Sequence, residues 1–515
     1  MRSIIRAILL LCAMPNAQGQ SLSGCSTIGF GNSTSFVAIA LTPDDGALCV
    51  GSMRRGEPSN ADLFILRMGA VGDTIWTRRI GGEASDWGQD VVIRDDNVAI
   101  ISGTTRSTAT SPLDYDLWVL AVDLDGELLW STVVRTPGND VDSWVALSAD
   151  GGCLVSATLG GTNPARLALI KLDAQGQLVW SRAMDSDGSY GSQVVAMSDG
   201  GFAVAGFRTI GDSNEDMLVL RLNADGDVLW QRAIGGPFPE FASTIAEHND
   251  GGLLIGGNRY DPLTAQSSTV LAVLDSTGNL QWSTSYMNDL EIIPYAVMAR
   301  GDGSYVVGGP VYSPTAPVGM VLMEVGDSLL STRLYTGPDP AFSGYDMTMA
   351  SDGGVWVCGS ISAIGSGKIM RLDPELEVCE QCANWVPIST PGEPLTSVVV
   401  DYSFSPMGVA IPFQPTVTSG MVWTPICLST DVATADVEVP NGSWITPGAG
   451  SLSIAPPGPA SDAYAWSILD VAGRELTSGR AAGGKRTDTG FTAAGVHVLV
   501  LRSADAQHTE RFVLP

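Results

Sequence analysis

Seven copies of one pattern, short apolar runs punctuated by glycine and aspartate at a blade-like period, predict an all-β fold. The expected architecture is a seven-bladed β-propeller followed by a small C-terminal β-sandwich. Each copy has an Asp, usually a Gly seven residues on, an apolar run, often an Asp/Asn-x-x-Gly turn, and a Trp. The copies begin at Asp44, Asp96, Asp150, Asp199, Asp250, Asp302 and Asp352, spaced roughly 49 to 54 residues apart. That period belongs to propeller blades rather than helical arrays. The 60 glycines suit a chain made of turns.

The fourth copy shows how one blade is written. Gln193-Val194-Val195-Ala196-Met197 supplies the first strand, and Phe202-Ala203-Val204-Ala205-Gly206 continues into the second after the Asp199-Gly200-Gly201 turn. Asp216-Met217-Leu218-Val219-Leu220-Arg221-Leu222 is the third, and Val228-Leu229-Trp230 opens the fourth after Asn223-Ala224-Asp225-Gly226. The runs are strand length and rich in Val, Leu and Ile, with Gly and Asp supplying positive φ at the hairpins. Four such strands bury little alone, but sheets packed face to face around an axis bury both faces. The strands therefore read as continuously apolar rather than alternating. Ala157 stands at the Gly position of the third copy, and the Asp-x-x-Gly turn is lost in the last two. Such drift is ordinary where only packing is maintained.

Trp76, Trp130, Trp180, Trp230 and Trp282 recur at one place in the first five copies, with Leu330 and Cys379 replacing them in the last two. A recurring indole reads as a blade-to-blade packing anchor, because it removes a large apolar area from water and its N–H can bond a neighbouring turn.

Asp+Glu 55 against Lys+Arg 27 gives a formal net charge of -28, which argues against nucleic acid and anionic lipid as partners. Residues 1–19 resemble a secretory signal: Arg2 and Arg6, an apolar stretch over 7–14, then Ala17-Gln18-Gly19 as a small-x-small cleavage site. The stretch is too short to span a membrane. Leu22-Ser23-Gly24-Cys25 also matches a bacterial lipoprotein signal, although the polar segment 16–21 separates it from the apolar core. A secreted or surface location follows from either reading.

Removal of the signal takes Cys12 and leaves seven cysteines, so at least one thiol stays unpaired. Cys49, Cys153 and Cys358 lie inside expected second strands, where cysteine behaves as a small hydrophobe. The others cluster where the ring must close, because Cys25-Ser26-Thr27-Ile28-Gly29 resembles the segment after a repeat Trp, such as Ala233-Ile234-Gly235. A disulfide from Cys25 or Cys427 to Cys379 or Cys382 would tie the propeller ends together in an oxidising compartment. Cys379-Glu380-Gln381-Cys382 also has redox-pair spacing, but no βαβ context accompanies it.

The propeller is expected over residues 20–382. Residues 383–435, rich in Pro, Thr, Ser and Val, read as an extended or β-rich connector. Residues 436–515 form a separate unit with strands around 451–454, 465–469 and 496–501, the pattern of a small β-sandwich.

Within this tail, Asp470-Val471-Ala472-Gly473-Arg474, Gly495-Val496-His497 and Arg511-Phe512-Val513 resemble the C-terminal sorting domain of the bacterial type IX secretion system. The whole chain thereby resembles secreted repeat propellers of the Bacteroidetes type. The family pattern is a D-x-x-G-R turn, a G-V-Y strand start and a final basic-aromatic-aliphatic strand. It matches Asp470, Gly473, Arg474, Gly495, Val496, Arg511 and Phe512, while His497 stands where Tyr is usual and Leu514-Pro515 where Lys is usual. The resemblance implies the type IX machinery as a partner, passage through the outer membrane, and removal of the tail or its exchange for a surface anchor. The other reading of the tail is an adhesive β-sandwich.

Catalytic signatures are weak. Residues 274–282 resemble a repeat of pyrroloquinoline-quinone propellers, whose dehydrogenase members hold quinone and calcium, but the adjacent Cys-Cys pair of those enzymes is missing. Only His248, His497 and His508 exist, which supports neither a His-metal cluster nor a nucleophile-base triad. Residues 479–485 nearly spell a phosphate loop, but Arg486 holds the Ser/Thr position. Gly365-Ser366-Gly367-Lys368 reads as a hairpin loop. No cofactor is expected. Calcium enters only through Asp123-Leu124-Asp125-Gly126-Glu127 and Asn223-Ala224-Asp225-Gly226-Asp227, turns that lack the twelve-residue loop and its bidentate Glu.

Two function classes follow. One is a secreted or surface-displayed propeller for binding, adhesion or scaffolding, contacting an extracellular glycan or protein through the variable loops 54–60, 105–114, 208–215, 259–267 and 312–317. The other is a secreted polysaccharide-acting enzyme, a glycoside hydrolase or lyase, with two acids on the same rim. No catalytic residue stands out.

Overall fold

The computed structural model describes most of residues 24–514. Outside the described set lie residues 1–23, 377–382, 386–395, 429–444, 455–462, 470–474, 490–494 and shorter loop segments. For the strands of residues 24–28 and 383–428, the backbone alone is described. Two compact units divide the chain, Met1–Thr430 and Asp431–Pro515.

The first unit is a seven-bladed propeller of antiparallel sheets, as the repeats predict. Blade 1 consists of Thr34–Leu41, Ala47–Arg54, Ala61–Met68 and Thr74–Gly81. Blade 4 consists of Ser189–Ala196, Phe202–Ile210, Asn214–Leu222 and Val228–Gly235. Its first strand starts ahead of the apolar run because Gly191 and a bulge interrupt the pattern without ending the pairing. First strands contact one another from blade to blade, and the last, Phe342–Met349, touches the first, Thr34–Leu41. They line the axis, and the buried Val, Leu, Ile and Met between sheets form the core. Cys49, Cys153 and Cys358 are free thiols inside it, their pKa values raised first of all by burial.

Blade 7 takes its fourth strand from the chain's other end: Gly24–Ile28 pairs with Ser366–Leu372. The resemblance of residues 25–29 to a post-Trp segment is thereby explained, since they are a fourth strand displaced to the start of the chain.

Six short strands within residues 383–428 pair with the outer strands of six blades as a belt. Ala383–Trp385 pairs with the outer strand of blade 6, Thr396–Val399 with blade 4, Phe404–Pro406 with blade 3, Val409–Pro412 with blade 2, and Thr416–Ser419 with blade 1. Thr424–Leu428 then pairs with Gly24–Ile28 on blade 7. Each belt strand is an edge with one side unpaired, which is where proline is tolerated, so Pro406, Pro412 and Pro425 fit. Cys25 stands directly opposite Cys427 in this register.

The repeat motif has a physical cause at each position. The Asp sits in the first hairpin, where its Oδ1 accepts the N–H two residues on, as Asp150 does from Gly152 and Asp199 from Gly201, both at 2.9 Å. The repeated Gly faces a β-bulge in the first strand. A methyl at Gly51 would press into the Ser35 carbonyl oxygen, and one at Gly103 into that of Trp87, closer than van der Waals contact allows. The Trp and the residue two beyond it grip the next blade's turn: Trp76 Nε1 donates to Leu124 O at 2.8 Å and Arg78 Nε to Gly126 O at 3.1 Å. Trp230 and Arg232 repeat this on Ser276 and Gly278. Thr132, two beyond Trp130, donates to Gly176 O.

The second unit has two antiparallel sheets. One holds Ile445–Gly448, Ser451–Ile454 and Thr487–Asp488; the other holds Glu475–Ala482, Ala463–Leu469, Gly495–Arg502 and Gln507–Leu514 in that spatial order. Among the described residues no helix is long and apolar enough to cross a membrane.

Candidate functional site

Six residues before each repeat Asp stands one position on the first strand: Ala38, Asp90, Trp144, Gln193, Thr244, Ala296 and Asp346. These positions form a ring around the axis, and five of them, Ala38, Asp90, Trp144, Gln193 and Asp346, line the axial cavity. Three of them accept a backbone N–H from the next blade. Asp346 takes Ile39 at 2.9 Å, Asp90 takes Val145 at 2.8 Å, and Gln193 takes Ile245 at 2.9 Å. Each amide belongs to the residue just after a ring position, so blades 7 and 1, 2 and 3, and 4 and 5 are joined by one geometry. Serines one position earlier act from the bulge: Ser192 Oγ donates to Ala242 O at 2.9 Å, and Ser243 Oγ to Pro294 O.

Above the ring is a cavity of about 650 Å³, open at the end where the first strands begin and walled by residues from all seven blades. Its aromatic wall comprises Trp87, Trp144, Phe207, Phe241, Tyr295 and Tyr345. Phe207 and Phe241 meet edge to face with centroids 4.9 Å apart, and Tyr295 lies 5.9 Å from Tyr345. Polar groups among them are Gln89, Ser192, Asn258 and three carboxylates, Asp90, Asp142 and Asp346. A second cavity of about 440 Å³ lies further along the axis, and Asp90, Gln193 and Asp346 border both, forming a polar waist.

The carboxylates are electrostatically unusual. Burial pushes Asp346 up to about 8, with the charge of Asp90 adding to the effect and the Ile39 amide opposing it. Burial likewise pushes Asp90 up to about 7 against the Val145 and Val91 amides. Asp142 is also raised, by desolvation where its exposed side chain faces into the cavity.

Asp142 owes its place to the departure at Ala157. In blades 1 and 2 the repeat Gly pairs with the residue before the bulge, Gly51 with Phe36 and Gly103 with Gly88. In blade 3 Ala157 pairs with Ser143 instead, and the bulge moves back by one residue to Asp142. Asp142 takes φ 53°, a left-handed conformation that Asp tolerates better than most residues. The drift at Ala157 is therefore coupled to a cavity-lining carboxylate, beyond packing alone.

The repeat tryptophans lie on the fourth strands and are absent from the described cavity lining, with Trp76 and Trp230 bonded to the next blade's turn. Of the sorting-motif residues, Gly495 and Val496 begin one strand and pair with Leu514 and Val513 of the last; Arg511 and Phe512 pair with Val498 and His497. Asp470, Gly473 and Arg474 lie outside the described residues, as do the signal segment, Cys379 and Cys382. In the turns considered for calcium, Asp123 Oδ1 accepts the amides of Asp125 and Glu127, and Asn223 Oδ1 those of Asp225 and Asp227. An Asn does the same work as an Asp, so the need is conformational. Among the described residues no three His, Cys, Asp or Glu side chains gather as a metal site. The near-phosphate-loop lies partly in the strand Glu475–Ala482. The loops expected to bear contacts flank the cavity mouth, and parts of each lie outside the described residues. Part of the wall, including Gln89, Asp142, Ser243 and Tyr345, sits at first-strand bulges, which a period-two reading does not reveal. A polar residue recurring at one offset in an apolar strand was the available signal.

No family model matches the sequence, and neither does any curated protein. Among solved structures the chain is similar to the polysaccharide lyase Uly1, at 11% identity and a TM-score of 0.43 over 69% of this chain and 100% of that one. It is also similar to Sqt1 of Chaetomium thermophilum bound to the N-terminus of a ribosomal protein, at 11% identity and a TM-score of 0.40 over 68% and 98%. A glycosyl hydrolase from Bacteroides ovatus aligns at 8% identity and a TM-score of 0.30 over 69% and 87%.

Proposed function

We propose that this chain is an exported binding protein whose propeller captures an extracellular ligand in the axial cavity. The observation that carries the reading is that cavity, lined by all seven blades and combining six aromatic side chains with convergent polar groups. Export rests on the signal-like residues 1–19 and on the tail's resemblance to type IX sorting domains.

Two measurements test the reading. Intact mass and terminal peptide mapping of protein recovered from a host possessing this secretion system should show loss of about the first 19 residues and of the tail. Retention of the tail with normal export would remove the sorting assignment. Saturable binding of an extracellular glycan or peptide that Trp144→Ala abolishes would support the cavity; binding indifferent to that change would move the site elsewhere.

A second reading, a polysaccharide-acting enzyme, is favoured by the raised carboxyls of Asp90 and Asp346, since a general acid must hold its proton near neutral pH. Against it, each of those acids accepts two strand amides, Asp90 from Val91 and Val145 and Asp346 from Met347 and Ile39. Their geometry serves the ring. Release of shortened glycan by the wild type, lost in Asp90→Asn, would establish the enzymatic reading over binding alone.

A further inference from the structure

We infer that the axial cavity selects a ligand presenting an organic ammonium group, held facing Asp90, Asp142 and Asp346 while the aromatic wall covers its carbon skeleton. The inference rests on the cavity being the ligand site and adds the charge of its occupant.

Among the described residues the lining carries three carboxylates and no Lys, Arg or His. An anionic ligand would find neutral donors such as Gln89 and Asn258 but no positive charge on the described lining, within a chain whose formal net charge is -28. Burial holds Asp346 near 8 and Asp90 near 7, so both are partly protonated at neutral pH; a cation facing them and Asp142 favours their charged forms, which a neutral ligand does not. The aromatic wall points the same way, since π-faces attract cations and most strongly where water is displaced. Trp144 stands two residues from Asp142 and Tyr345 adjoins Asp346, with all four on the cavity lining, so a cation there would meet ring and carboxylate together.

Asp142 is the carboxylate available for such contact. Asp90 and Asp346 accept strand amides through both oxygens, whereas no hydrogen bond engages the Asp142 carboxylate among the described residues. Its side chain is exposed to the cavity rather than packed into the sheet.

Ammonium groups reach an extracellular protein on amino sugars or on free organic amines, and the test separates these. Isothermal titration of the full chain at physiological salt would use four probes: a glucosamine tetramer, its fully N-acetylated counterpart, choline, and a galacturonate tetramer. At least one ammonium probe is expected to bind about tenfold or more tighter than the acetylated tetramer, with no binding of the galacturonate. A preference for the glucosamine tetramer assigns an amino sugar, and a preference for choline a free ammonium. Asp142→Asn keeps the left-handed backbone, because Asn tolerates it, and should weaken the ammonium probe about tenfold. A polycation adhering generally to so acidic a surface would ignore that one-charge change.

Equal affinity for the acetylated and free-amine tetramers overturns the charge selection and leaves the cavity reading standing. Ammonium binding unchanged in both Asp142→Asn and Trp144→Ala overturns the inference and the cavity reading together. Failure of every ammonium probe overturns the inference.

Discussion

Asp346 of the last blade accepts the backbone N–H of Ile39 of the first at 2.9 Å, so a single side chain spans the ring closure at the axis. Asp346→Leu removes the acceptor and leaves the Ile39 amide unpaired. The expected cost is about 1–3 kcal/mol, and Asp346→Asn, which keeps an acceptor oxygen, should cost less. Urea unfolding of the two variants checks the ordering; equal losses would show that the amide finds another partner.

The same acid gives the protein an unusual pH response. In the unfolded chain Asp90 and Asp346 titrate near 3.8, and in the folded chain near 7 and 8. Between those values the folded state binds more protons, so stability falls as pH rises from about 4 through 8. Below pH 4 the trend reverses. Asp150 is held near 2, its partial burial outweighed by Lys171 and Ser148, and Asp275 is held near 2 by the Asn279 amide and Thr277. Calorimetric midpoints from pH 4 to 9 should decline for the wild type and decline less steeply in Asp90→Asn/Asp346→Asn, the remaining slope coming from acids such as Glu240, which burial pushes up to about 7.

Gly103→Ala should destabilise by about 1–3 kcal/mol, because the added methyl meets the Trp87 carbonyl across a bulge that cannot retreat. Ala157→Gly tests the shifted bulge from the opposite side. It frees the backbone to adopt the register of its neighbours, so affinity at the cavity should change more than stability does. A folded variant with unaltered binding would uncouple Ala157 from Asp142.

Oxidised protein should yield a peptide pair linking Cys25 to Cys427, the two being opposite in register. Non-reducing peptide mapping decides between this link and pairing of either residue with Cys379 or Cys382. Replacing both Cys25 and Cys427 by Ser should cost about 2–4 kcal/mol.

The blades were legible because Asp, Gly and Trp each answer a local demand that recurs in every copy: a hairpin cap, a bulge, a clamped turn. The partner of the Asp was not. In blades 1, 3, 4 and 7 the base sits on the third strand as Arg67, Lys171, Arg221 and Arg371. In blades 2 and 5 it precedes the Asp by two residues as Arg94 and His248. Blade 6 keeps that position with Arg300 but places Glu324 on the third strand, paired at 2.6 Å. In the other six blades the Asp keeps a basic partner while that partner's sequence position migrates, which a search for fixed spacing passes over. The belt was hidden for another reason: strands of three to five residues carrying proline read as linker until an existing edge gives them something to pair with.

That belt changes what it means for the ring to be shut. Gly24–Ile28 lies between Ser366–Leu372 and Thr424–Leu428, so the chain's earliest described strand is interior to its sheet. It cannot peel away until the strand laid over it has left, and that strand is written about 400 residues later. Completion of the fold must therefore wait for residue 428 to emerge and dock. Once docked, opening requires unlacing from the outside inward, which slows escape of the N-terminal segment independently of how deep the equilibrium well is.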